Sequence, residues 1–145
     1  MPTSTPHRND PDVVRRLLTD TGRWAVVGLS ANEDRPAFGV ARFLQERLGV
    51  EIVPVHPRAD DVHGEHGVRD LDAAAEHGPL DVVDCFVNSS RVGAVVDDAI
   101  RLGARAVWLQ LGVVDDAAAA RAREAGLDVV MDACPAIEAP RLGLV

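Results

Sequence analysis

Glycine, serine and arginine fall together in the stretch VVGLSANEDRPAFGV, Val26 to Val40. An apolar run leads into Gly28, a hydroxyl follows at Ser30, and Arg35 and Pro36 precede Gly39 and Val40. A glycine directly after an apolar run permits a sharp turn and close approach of a ligand to the backbone. A helix beginning near Pro36 would aim its free N–H groups and the positive end of its dipole at that turn, which suits a phosphate. Arg35 adds a fork of donors matched to phosphate oxygens. Gly39, on the first helical turns, would admit close approach of a ligand or a strand. The glycines do not keep the G-x-G-x-x-G spacing of dinucleotide-binding turns.

A second group lies in VHPR, where His56, Pro57 and Arg58 follow an apolar run. Dinucleotide sites carry an acid at this point to hold the ribose hydroxyls. An arginine instead suits a ribose that bears a phosphate, on the 2′ oxygen in NADP or the 3′ oxygen in coenzyme A. The missing glycine fingerprint favours the second. Phe86 offers an apolar wall for an adenine, and Asn88 or Ser89 is placed to cap a following helix. Gln110 is polar inside an apolar run, so it needs a partner, either a ligand amide or a structural hydrogen bond. Gly112 again allows backbone approach. Cys134, in MDACPAIE, lies where a thiol would meet a ligand thiol or stay inert, whereas Cys85 sits in an apolar run and is expected to be buried. His63, Glu65 and His66 occupy a glycine-rich loop without a fourth ligand at useful spacing and read as solvated, so no metal is expected. No residue set has the arrangement of a catalytic dyad or triad, and no catalytic residue is assigned.

The elements that must position these groups follow from periodicity and turn residues. Helices are expected from Asn9 or Asp10 to Gly22, from Pro36 to Gly49, over LDAAAEHG, from Ser89 to about Gly103, and from Asp115 to Gly126. Short Val-rich runs at 24–28, 51–55, 81–87, 104–112 and 127–132 read as buried strands. The alternation predicts an α/β, Rossmann-like fold, a doubly wound parallel five-stranded sheet with helices on both faces. The strand order expected is 3-2-1-4-5. Ligands in such folds bind beyond the carboxyl ends of the strands at the switch point. That rule nominates 28–40, 56–58, 86–90, 110–113 and 132–135.

With 145 residues the chain is expected to form a flexible tail over 1–8 and a single domain over 9–145. Net charge is −8 and all fifteen basic residues are arginine. That balance argues against nucleic acid and anionic membranes as partners. The absence of lysine excludes Schiff-base chemistry and a P-loop lysine. With three Phe, two Trp and no Tyr, the core is expected to consist of Val, Leu, Ala and Ile. Two cysteines make no disulfide framework, and neither a signal peptide nor a spanning segment is evident. A cytoplasmic location follows as the expectation.

The stretches VVGLS with RPAFGVARFL, IVPVHPR, VWLQLGV and AGLDVVMDACPAIE together resemble a known family, the stand-alone CoA-binding proteins. These are similar to the N-terminal CoA-binding domain of the succinyl-CoA synthetase alpha subunit. The likeness runs from about Trp24 to Glu138. It implies coenzyme A or an acyl-CoA held at the switch point. Gly28, Ser30 and Arg35 would lie along the phosphates, and Val40 would line the site. Pro57 and Arg58 would sit near the 3′-phosphate, and Gln110 and Gly112 near the pantetheine arm. The chain departs from the family pattern at His56, Val87 and Ala136, where polar anchors are lost or altered. In the synthetase the phosphorylated histidine belongs to a second domain, so the resemblance implies binding without ligation. The leading expectation is therefore a small-molecule binder of CoA without catalysis of its own. The alternatives are a small enzyme acting on acyl-CoA or NADP through His56 or Cys134, and a regulatory subunit. A homodimer or a separate protein partner stays open.

Overall fold

Proline, aspartate and glycine set the helix boundaries, and runs of β-branched residues form the strands between them. The computed structural model describes residues 5–20 and 22–145. The strands are β1 Arg23–Val27, β2 Glu51–Val55, β3 Val82–Cys85, β4 Ala106–Leu109 and β5 Asp128–Val130. The helices are α1 Pro11–Thr19, α2 Pro36–Leu48, α3 Leu71–Glu76, α4 Ser89–Arg101, α5 Asp116–Glu124 and α6 Pro135–Arg141. Every pairing is parallel. The five-stranded sheet with helices on both faces is the expected class.

The strand order is corrected. It runs β2-β1-β3-β4-β5, so the sheet reverses direction after β2 and not after β3. Right-handed crossovers permit both orders. The choice turns on which face α3 covers, and strands that are apolar on both faces do not encode that. Here Leu71 and Ala74 of α3 pack with Val92 and Val96 of α4 and Ala118 and Ala122 of α5 on one face. Leu17 of α1, Leu44 of α2 and Ala139 of α6 pack on the other. The switch point consequently lies between β1 and β3, still beside the first strand.

The core is not purely aliphatic. Trp24 and Trp108 are fully buried, with ring centroids 5.6 Å apart at 41°. The Trp108 Nε1–H donates to the Ala133 carbonyl at 2.9 Å, which satisfies the polar edge that a buried indole brings with it. A sixth helix, α6, follows β5 where no helix was expected. Residues 1–4 of the expected tail lie outside the described residues. At its other end the His7 N–H donates to Asp116 Oδ1 at 2.8 Å, and Asn9 exchanges two hydrogen bonds with the Met131 backbone.

Candidate functional site

A cleft of about 1170 Å³ opens at the carboxyl edge of the sheet, across the switch point between β1 and β3. All five nominated segments reach it. From the β1–α2 connection it takes Gly28, Ser30, Arg35 and Val40, and from the end of β2 His56, Pro57 and Arg58. Phe86 and Asn88 line it after β3, Gln110 after β4 and Cys134 after β5. Gly39 and Gly112 stand outside the lining. An added Cβ at either would meet nothing within 4 Å, so neither glycine is explained by a close neighbour.

Gly28 is required for a reason within the protein. Its φ is +98°, and an added Cβ would lie 2.4 Å from the Phe86 carbonyl oxygen. The close approach is to the end of β3. The loop beyond it is ordered by its own polar groups. Buried Ser30 accepts the Asn32 N–H on Oγ at 3.2 Å, and Asn32 accepts the Asp34 N–H at 3.0 Å. Asp60, from the loop after β2, accepts the Ala31 N–H at 3.0 Å and pairs through the same oxygen with Arg58 Nε at 3.5 Å. The Ala31 N–H, and after it the Arg58 guanidinium, hold the Asp60 carboxyl below its ordinary range. His56 takes the Arg58 N–H on Nδ1 at 3.1 Å, so its ring shapes the turn that presents Arg58.

The helix starts divide into two groups. Asp10, Asp70 and Asp115 cap α1, α3 and α5 through side-chain acceptors for the N–H groups of Asp12, Ala73 and Ala118. At α2, α4 and the seven-residue α6 the capping positions are Arg35, Asn88 and Cys134, and none of these side chains bonds a backbone N–H. Asn88 or Ser89 was expected to cap α4. Ser89 instead bridges to the 112–114 turn, donating to the Gly112 carbonyl and accepting the Val114 N–H at 2.9 Å. Two thirteen-residue helices thus meet the cleft with first-turn N–H groups uncapped by any side chain. A helix start in that state carries a partial positive charge and unsatisfied donors.

Arginines reinforce that field. Arg35 and Arg91 line the cleft and pair with no carboxylate among the described residues, while Arg58 and Arg69 line it with acidic neighbours, Arg58 at Asp60 and Arg69 at Asp70. Arg69 and Arg91 were not singled out from sequence. Arg91 had a legible signal, because it falls in the first turn of a helix that starts at the rim. Arg69 had none, since it comes from the long connection before α3. Where α3 and α4 face each other the cleft also carries Asp70 and Asp98, so positive charge is concentrated toward the starts of α2 and α4.

Gln110 is buried and its amide nitrogen donates to Asp84 Oδ1 at 2.5 Å. Asp84 is fully buried in β3, and its Oδ2 has no partner. Burial pushes the carboxyl up to about 7, opposed by the Gln110 hydrogen bond. Asp84 was not among the expected site residues, because it sits inside a run taken as apolar. Cys85 beside it is fully buried, and burial, with Asp84 adding to it, pushes the thiol well up, so it is inert. Cys134 is a free thiol, half-buried at the cleft wall beside the exposed Ile137. Gly112 sits in a turn at φ +83° with its N–H committed to Asp132 Oδ1 at 2.7 Å. The His63 ring bonds the Phe38 carbonyl at 2.7 Å and His66 pairs with Asp61, and no three metal-ligating side chains converge among the described residues.

The chain is 34% identical over 121 residues to the uncharacterized protein YneT of Bacillus subtilis, covering 83% of this chain and 87% of that one. A hypothetical protein from Pyrococcus horikoshii OT3 superposes with a TM-score of 0.83 at 32% identity, covering 98% and 99% of the two chains. The cell-free ID.343 protein of Thermus thermophilus matches at 0.83 and 31%, covering 92% and 98%. The family model described as CoA binding domain matches residues 22–140, which takes in every strand and all the cleft segments, and the chain belongs to that family.

Proposed function

We propose that the protein binds coenzyme A or an acyl-CoA in this cleft and performs no reaction on it. The observation that carries the reading is the pair of helix starts at Arg35 and Asn88, which lack side-chain caps and face the cleft together with Arg35 and Arg91. In a chain of net charge −8 that local concentration of donors needs an anionic occupant. The donor set fits a diphosphate along Gly28, Ser30 and Arg35, and a ribose phosphate at Arg58. The volume, about 1170 Å³, lies above the roughly 300–1,000 Å³ of ordinary ligand sites, which accords with a long nucleotide conjugate. Exposed Leu111 and Ile137 beside Cys134 supply an apolar mouth for the thiol end or a short acyl group. The side chains of His56 and Asp60 are engaged in holding the loops that carry the site, which favours binding over acid–base chemistry.

Thermal unfolding with and without ligand tests this. Millimolar CoA is expected to raise Tm, because a ligand that binds only the folded chain stabilises it by mass action. 3′-Dephospho-CoA is expected to raise it less, and Arg58→Ala is expected to abolish the difference between the two. No shift with CoA, or an equal shift with NADPH, would overturn the reading.

A further inference from the structure

Asp84 Oδ2 is the one buried side-chain oxygen or nitrogen among the described residues that has no hydrogen-bond partner. Such an atom costs roughly 1–3 kcal/mol and calls for a reason. The carboxylate lies on the face of the sheet covered by α1, α2 and α6, since it alternates with Val82 of that core. Its register partner on β4 is Trp108, and Gln110 stands two residues further on, continuing the ladder through its N–H to the Cys85 carbonyl at 3.3 Å. Asp84 Oδ1 receives the Gln110 amide nitrogen, and Gln110 in turn lines the cleft. An apolar residue at 84 would avoid the orphaned oxygen. It would also leave the glutamine amide free to turn either way.

We infer that Asp84 is a positioning residue, which fixes the Gln110 amide with its nitrogen inward so that its oxygen is offered to the cleft as an acceptor for an N–H group of the ligand. Asp84 Oδ1 is an acceptor when the carboxyl is ionised and also when its proton sits on the unpartnered Oδ2, and so it takes the amide nitrogen and not the amide oxygen. What remains for the cleft is a carbonyl oxygen held by a partner that is itself fully buried in the sheet. A carbonyl recognises an amide N–H and not a phosphate. This end of the cleft therefore takes a secondary-amide arm, while the anionic end is held at the helix starts. The inference rests on the CoA reading, because the pantetheine arm carries two such amides.

Calorimetric titration with two probes separates the claims. CoA carries the amide arm, and adenosine 3′,5′-bisphosphate carries only the nucleotide end. Asp84→Val is expected to weaken CoA by about tenfold, the order of one hydrogen bond, and to leave adenosine 3′,5′-bisphosphate unchanged. Asp84→Asn, which keeps an acceptor for Gln110, is expected to restore CoA binding. Gln110→Ala and the double variant Asp84→Val/Gln110→Ala are expected to lose CoA affinity equally, because Asp84 acts through Gln110. Unfolding of each free variant shows that it is folded. Wild-type CoA affinity in Asp84→Val, equal losses for both probes, or additive losses in the double variant would each overturn the inference. A wild-type protein that binds neither probe would overturn the site itself and this inference with it.

Discussion

Helices α1 and α2 begin with the same backbone shape and opposite chemistry. The residue before the first turn has φ −82° and ψ 119° at Asp10 and φ −87° and ψ 141° at Arg35, and both helices open on proline. Asp10 folds its carboxylate onto the helix start, whereas Arg35 leaves it open. Asp115 at α5 and Asn88 at α4 repeat the contrast. An aspartate cap is worth about 1 kcal/mol, and its negative charge repels an incoming phosphate. Asp10 and Asp115 take that stability for α1 and α5, and at the proposed anion seat Arg35 and Asn88 forgo it.

Reversing the contrast at its strongest point has the largest expected effect. Arg35→Asp turns α2 into a helix of the α1 kind. The free protein is expected to gain up to about 1 kcal/mol, while CoA affinity falls by roughly a thousandfold or more, about 4 kcal/mol. Denaturant unfolding and calorimetry on the same sample read both. Unchanged affinity would mean that the start of α2 is not the phosphate seat.

A carboxylate in the wrong place for stability should show the opposite sign. Burial holds Asp84 at about 7, against 3.8 for an ordinary aspartate. The folded chain therefore keeps this proton after the unfolded chain has lost it. The carboxylate's charge adds no cost below about pH 4, and that cost grows as pH rises to about 7 and is constant above. Asp84→Asn is expected to exceed the wild type in stability by on the order of 4 kcal/mol at pH 8, with the gap shrinking toward pH 4. A gap independent of pH in urea unfolding would show that the carboxyl is not buried as described.

The smallest effect tests the other half of the contrast. Asp115→Ala removes a cap that does not line the cleft and is expected to cost about 1 kcal/mol of stability with no change in CoA affinity. A parallel loss of affinity would join α5 to the site and blur the division between capped and open helices.

Much of this arrangement was legible in the residues. Pro36 and Gly49 bracket α2 as expected, since proline suits a first helical turn and Gly49 takes the left-handed cap at φ 69°. The Val-rich runs gave all five strands, and the carboxyl-edge rule then brought Arg35, Arg58 and Gln110 to one cleft without any chemistry being invoked. The misses have physical causes. Strand order depends on the face chosen by six-residue α3, and strands buried on both sides carry no record of it. Helix α6 holds Pro135 and Pro140 within seven residues, so local propensity argues against it, and packing of Ala139 under α2 supplies what propensity lacks. Asp84 was read through its neighbours Val82 and Val83. That a carboxylate survives in such a run is itself the signal, because an unpaired charge is costly there and calls for a partner such as Gln110.

The most direct test of the central claim is a native mass spectrum of the wild-type protein and the Arg35→Asp variant, each with a small excess of CoA. The account predicts a one-to-one complex for the wild type and none for the variant. A wild-type protein that stays free, or a variant that retains the ligand equally, would contradict it.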